Sequence, residues 1–382
     1  MRLALFSPLL LSLCLVSPPE LEFQGTATSP LTGRWRADVK ESGRDRLYLD
    51  LRLDAPDDRH HMGTGIARQA FSGLPADLSS TGRITFELRR DAGLTSFDGE
   101  FRDGWGSGRF TFTPNPEFGA FIRQRGGRPD AAEEMFAFAL HDVSRAFVQQ
   151  IEQRGYKDLD SDKLLAFRIH GVTPEFIDEL KKLGYADLSA DKLVAFRIHR
   201  VTPEFITEMR KAGYTLSADD LVAFRIHRVS PEEIAQFKKM GYTELSGDDL
   251  VAFRIHRVSP ADVEAFKTLG YSTLSKDDLV AARIHRVTPD FVRALGELGY
   301  KDLDFDDLVA FRIHRVTPEF IRELKAVGYA NVPAEKLVAF RIHRVDAELI
   351  KELRDDGYKD MTPEDLIDFA IHGRRWMAKR RR

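Results

Sequence analysis

A chain of 382 residues with 43% apolar content has room for two to three domains with cores of ordinary size. Its formal net charge of −3, from 57 basic and 60 acidic residues, excludes a global attraction to polyanions or anionic membranes. The single cysteine, Cys14, excludes a framework of internal disulfides.

The chain opens with Met1-Arg2, then an apolar run from Leu3 to Val16 that is too short to span a bilayer comfortably. A polar, Pro-containing segment follows and ends in the small residues Gly25-Thr26-Ala27. This layout predicts a secretory signal peptide over residues 1–27, hence an exported, periplasmic or extracellular protein with no transmembrane span after cleavage. Leu13 stands where a lipoprotein signal needs a small residue before its cysteine, which speaks against lipidation of Cys14. Cleavage after Ala27 would leave a mature chain without a thiol.

Residues 28–124 predict an antiparallel β-domain. Period-two alternation is clean in Arg46-Leu47-Tyr48-Leu49-Asp50-Leu51-Arg52-Leu53 and in Arg83-Ile84-Thr85-Phe86-Glu87-Leu88. Turn signals at Asp91-Ala92-Gly93 and Asp103-Gly104 separate the strands. The expectation is a small sandwich or barrel of about six strands. Gly33-Arg34-Trp35 resembles the Gly-x-Trp that opens the first strand of lipocalin-like barrels, but the match is three residues long and a tryptophan filling a β-core is the plainer explanation. His60-His61 reads as exposed loop.

Residues 129–373 carry a different pattern. Nine histidines, from His141 to His372, recur every 29 residues, with one step of 28 between His199 and His227. Eight Gly-Tyr pairs, Gly155-Tyr156 to Gly357-Tyr358, keep the same beat. A fixed period over this length predicts an all-α solenoid of helix-pair repeats, which makes the whole chain α+β. In the unit beginning at Ser189, that serine caps a first helix containing Leu193-Val194-Ala195-Phe196-Arg197-Ile198-His199. Thr202-Pro203-Glu204 then starts a second helix, which Gly213 stops. The apolar residues of the first helix are spread nearly all round it. It is therefore expected to be packed on most sides, with only the stripe of Lys192 and His199 reaching solvent.

Three sets of recurring residues are candidates for function. The ladder His170, His199, His227, His256, His285, His314 and His343 invites a metal reading. Stacked helices lie about 8–10 Å apart, whereas two nitrogens on one zinc must come within roughly 3–4 Å. The expectation is no metal, with each imidazole bonding a carbonyl at the corner between helices or contacting a partner. Arg168, Arg197, Arg225, Arg254, Arg283, Arg312 and Arg341 lie between buried directions and are expected to bridge neighbouring repeats, towards acids of the Asp191 or Glu179 type. The next arginine, Arg200 and its copies, sits at a helix C-terminus, where the dipole favours it and where an electropositive edge would form. The second helix varies most at Asp178, Thr207, Ala235, Glu264, Arg293 and Arg322, the positions expected to discriminate among partners. The tail over 374–382, rich in Arg and Lys, reads as a solvated terminus.

The repeat Leu-Val-Ala-Phe-Arg-Ile-His-Arg-Val-Thr-Pro-Glu-Phe-Ile resembles helical repeats in envelope proteins of soil bacteria. Similar arrays are appended to membrane metallopeptidases of the β-lactam-sensor type. The stretch Phe86-Glu87-Leu88-Arg89-Arg90-Asp91-Ala92-Gly93 resembles the segment that precedes such arrays. The resemblance implies a bacterial, extracytoplasmic, accessory or sensing role. It carries over no catalytic residue, because the peptidase domain and its zinc motif are missing here. No phosphate loop, nucleophile elbow or dinucleotide fingerprint occurs either. The expectation is a non-enzymatic binding or scaffold protein without cofactor, directed at another envelope protein and not at nucleic acid. A binder of a repetitive anionic polymer through the His/Arg ladder, and a small-ligand carrier with a cavity near Trp35, stay open as alternatives.

Overall fold

The computed structural model of the chain describes residues 29–38, 45–54, 61–78, 82–125 and 132–373. The expected leader with Cys14, His60, and the tail over 374–382 lie outside the described residues. The architecture is α+β, a curled antiparallel half-barrel sheet followed by an all-α region of paired helices. Two compact units are present, Met1–Ile198 and His199–Arg382, and the division falls inside a repeat. Each repeat of such an array touches only its neighbours, so the array has no privileged internal boundary of its own.

The sheet holds seven strands: β1 (Leu31–Asp38), β2 (Arg46–Leu53), β3 (His61–Ala67), β4 (Phe71–Ser72), β5 (Gly82–Arg90), β6 (Gly93–Arg102) and β7 (Trp105–Pro114). Their spatial order is β3-β2-β1-β7-β6-β5-β4, every neighbouring pair antiparallel. The strand beyond the expected six is the two-residue β4, too short to show a period. His61 is the first residue of β3, with its Nε2 2.5 Å from Asp50 Oδ1, so it belongs to strand and not to loop.

The alternation read from the sequence sorts the two faces: Leu47, Leu49, Leu51 and Leu53 of β2 are all buried. Trp35 is the centre of the core, with the rings of Phe86, Phe97 and Phe101 at centroid distances of 5.4, 6.3 and 5.6 Å. Its indole N–H donates to the Asp98 carbonyl at 3.2 Å, which satisfies the one polar atom it buries. Glycine makes room for the ring. A Cβ on Gly108 would lie 2.0 Å from the Asp98 carbonyl oxygen and 2.7 Å from the indole nitrogen.

Asn115 caps an unexpected helix, Pro116–Arg123, its side chain accepting from the Glu117 amide at 3.0 Å with Pro116 in the first turn. The first helix of the repeat region, Ala132–Leu140, then packs on β6 and β7, with Phe136 stacked on Phe110 at 5.1 Å. Because the sheet covers it, nearly every residue of this helix is buried, Ala139 and Leu140 included. Those two occupy the positions held by arginine and isoleucine in the later repeats. Asp142 ties the corner together, lying 3.3 Å from Arg90 Nε and 3.0 Å from Arg168.

Each repeat beyond this junction is two helices of nine or ten residues. Serine caps with a reciprocal aspartate, as at Ser217 and Asp220, start first helices. Thr-Pro or Ser-Pro pairs start most second helices, and glycines such as Gly213, at φ 94°, end them. Helices this short are marginal alone, so bonds between repeats matter. Tyrosine supplies one set: Tyr242 donates to the Leu274 carbonyl at 2.7 Å, and Tyr271 to Leu303 at 2.8 Å. Lysine supplies another, since Lys238 and Lys267 cap the last carbonyls of the preceding second helix through Ala212 (2.6 Å) and Met240 (3.1 Å).

Candidate binding surface of the helical array

In a first helix such as Ala218–His227, Leu221, Val222 and Phe224 are buried. At about 100° per residue, Ile226 lies opposite Leu221 and Phe224, with Asp219 close to the same line and Ala223 beside it. The isoleucine expected to help bury this helix is exposed instead. The solvent-facing stripe expected at Lys192 and His199 is half-buried. In the second unit Ile226, Ile255, Ile284, Ile313, Ile342 and Ile371 are 38–53% exposed. Ile169 and Ile198 of the first unit are exposed in the same way. Consecutive first helices of the second unit pack side by side, so equivalent positions line up into an apolar row. The expectation failed because an all-round apolar pattern says how much surface a helix offers, not whether a neighbour exists for each side.

Two charged edges flank that row. Asp248, Asp277, Asp306 and Glu335 are exposed in the first turns of their helices, where the dipole accounts for them. Beyond the other end stand Arg228, Arg257, Arg286, Arg315 and Arg344, each with φ of 58–59°. This is the left-handed conformation that ends a helix, and it favours glycine by roughly 1–2 kcal/mol over a residue with a Cβ. Gly171 fills the same place in an earlier repeat, so glycine is compatible with the corner. The five arginine side chains are exposed, and none makes a side-chain hydrogen bond or ion pair with a described residue.

The other candidates have different surroundings. Arg168, Arg225, Arg254, Arg312 and Arg341 reach back to the preceding repeat, donating from Nε to the backbone carbonyls of His141, His199, His227, His285 and His314 at 2.9–3.4 Å. Arg197 does the same to His170 at 3.3 Å, and Arg283 to the Arg257 carbonyl at 2.8 Å. The expected acid is usually not the partner. The guanidinium instead lies over a phenylalanine of the preceding second helix, 4.8 Å from the ring centroid for Arg225 on Phe205 and Arg312 on Phe291. Where that phenylalanine is replaced, an acid takes over: Glu233 lies 3.3 Å from Arg254, and Asp262 lies 3.6 Å from Arg283. At the last first helix the arginine position is Ala370, and the residue facing it in the preceding helix is Leu349. Replacing Arg254 by Ala should lower stability by about 1–2 kcal/mol, because a carbonyl and Glu233 both lose their partner. Replacing Glu233 by Phe should change it by less than about 1 kcal/mol, one kind of contact taking over from the other. Denaturant unfolding midpoints of the two variants check both values.

The histidine ladder thus contributes backbone carbonyls, not imidazole bonds. No ladder imidazole hydrogen-bonds to a described residue, which corrects the expected corner bond. Among the described residues no group of three or more His, Cys, Asp or Glu is placed to hold a metal ion. Burial, and secondly the nearby Arg168, depress the imidazole pKa of His141. An imidazole depressed in the folded state is charged more readily in the unfolded one. Its stabilising contribution is complete above the ordinary value of about 6.5 and is lost as pH falls below it, until the folded form titrates too. A His141→Asn variant should show a flatter loss of stability below that pH, measured as the thermal midpoint against pH.

The second-helix positions are not equivalent to one another. Asp178 is bound by Arg154 at 2.6 Å, and Thr207 bonds the Pro203 carbonyl at 2.8 Å, so both serve local structure. Ala235 and Glu264 are exposed, while Arg293 and Arg322 pair along their own helices with Asp290 (2.5 Å) and Glu319 (2.9 Å). Around Trp35 the space is filled by aromatic rings. An open hollow of about 440 Å³ on the sheet is lined by groups that include Thr85, Ser96, Asp98 and Arg109, but not by Trp35. No helix among the described residues is long and apolar enough to cross a membrane.

No known protein family matches the chain, and no curated protein matches it.

Proposed function

We propose that the chain is a non-enzymatic binding or scaffold protein of the extracytoplasmic space, whose helical array engages another envelope protein along the exposed face of its first helices. One observation carries this reading: an isoleucine recurs on the solvent side of every first helix in the second unit, each 38–53% exposed. Covering a half-exposed isoleucine contributes about 1 kcal/mol, so six contribute roughly 6. Association costs on the order of 4–15 kcal/mol, so the apolar row alone would not hold a complex and the flanking charges must take part. The signal-like first 27 residues and the resemblance to envelope-protein repeats support the location.

The test compares the full chain with an Ile255→Ser, Ile284→Ser, Ile313→Ser variant, each used to capture partners from a bacterial envelope extract. A partner retained by the former and lost by the latter supports the reading. Capture indifferent to the three substitutions, or no capture, overturns it. Fractionation and N-terminal sequencing of the expressed protein address location. A start shortly after Ala27 in the exported fraction is the expected result, and an intact leader in the cytoplasm overturns it. The carrier alternative gains nothing from the filled core around Trp35.

A further inference from the structure

Resting on that reading, we infer that the occupant of the isoleucine face in the second unit is a slender, extended polypeptide carrying apolar side chains and one acidic edge.

The slenderness comes from the width of the row. One isoleucine per first helix lines up along the second unit, with exposed acids at one end of those helices and exposed arginines beyond the other. The apolar track is therefore one side chain wide, and an extended chain can follow it while keeping its apolar groups off both charged edges.

The apolar requirement follows from six exposed isoleucines in register. The acidic edge follows from charge complementarity. Arg257, Arg286 and Arg315 are exposed and unpaired among the described residues, and they stand in a backbone conformation that disfavours them. The opposite edge carries Asp248, Asp277 and Asp306, so a polymer with negative charge all round it would be repelled there. A polypeptide can place acids towards one edge only. Its period can match as well: stacked helices repeat at about 8–10 Å, and three residues of a polyproline-type chain rise about 9 Å. Two residues of a β-strand rise about 7 Å and fall out of step within a few repeats.

The experiment uses the full chain and a fluorescent peptide of six Leu-Glu-Pro units, with binding followed by anisotropy at low salt. Comparators are the same length of Ser-Glu-Pro, the same length of Leu-Lys-Pro, and heparin as an anionic polysaccharide. The Leu-Glu-Pro peptide should bind at least about tenfold more tightly than either comparator peptide, a difference of about 1.4 kcal/mol. Heparin should not displace it. Its affinity should fall about tenfold both in the Ile255→Ser, Ile284→Ser, Ile313→Ser variant and in an Arg257→Gly, Arg286→Gly, Arg315→Gly variant. Thermal midpoints check that both variants fold, and the peptide comparison on the unaltered chain stands without them. Equal binding of Ser-Glu-Pro, or displacement by heparin, overturns the inference in favour of an anionic polymer. No peptide binding while envelope capture still depends on the isoleucines overturns the occupant alone. Loss of both overturns the proposed function as well.

Discussion

Replacing Phe311 by Ala should lower the stability of the array by about 3–5 kcal/mol, while Ile313→Ser in the same helix should lower it by only about 1 kcal/mol. Phe311 is 0% exposed and lies 6.3 Å, ring to ring, from Tyr300, whereas Ile313 is 53% exposed. Truncating the phenylalanine removes contacts and leaves a cavity between helices that relax only partly. Truncating the isoleucine loses only the contacts of its covered half and encloses no cavity. Helical circular dichroism against denaturant reads both effects. Because repeats couple to their neighbours, the Phe311 variant should also broaden the transition as the array uncouples near the lesion. An Ile313→Ser variant as unstable as Phe311→Ala would mean that the row is core, and the proposed binding face would go with it.

The second large effect belongs to the sheet. Trp35→Ala should cost about 3–5 kcal/mol, since the ring is 1% exposed and in contact with three phenylalanines. Gly108→Ala should be comparably severe despite adding only a methyl group. The new Cβ would stand 2.0 Å from the Asp98 carbonyl, on backbone paired between β6 and β7, so no side chain can move aside. Loss of the near-ultraviolet signal and a lowered thermal midpoint are the expected readings for both. A native midpoint for Gly108→Ala would show that the two strands can part locally without cost to the core.

The period, the helix pairs and their caps were legible in the sequence because each depends on local rules. Ser189, Thr202-Pro203 and Gly213 do in the structure what those residue types do at helix ends. The face of each first helix was not legible, since Leu193, Val194 and Ile198 are equally apolar and only neighbours decide which is covered. The helix at Pro116 was missed although Asn115-Pro116-Glu117 is a start signal, because the strands before it absorbed the segment. The tyrosine bonds were missed for a different reason. A Gly-Tyr pair shows the beat but not that the hydroxyl reaches a carbonyl about one repeat away. The partner of the recurring arginine was misjudged in the same way: a cation invites an acid on paper, but a backbone carbonyl and a ring face leave no ionic mark in a sequence.

Most bonds joining one repeat to the next end on main-chain oxygen, whether the donor is Arg254, Lys267 or Tyr271. A carbonyl is the same in every copy. A duplicated repeat therefore meets an acceptable neighbour wherever it is inserted, without a matching change elsewhere in the gene. The length of the array is then free to drift by whole units under selection for reach. The exchange of phenylalanine for Glu233 or Asp262 marks a contact in which side chains must suit each other, as they must in the pairs Arg154–Asp178 and Lys276–Asp249.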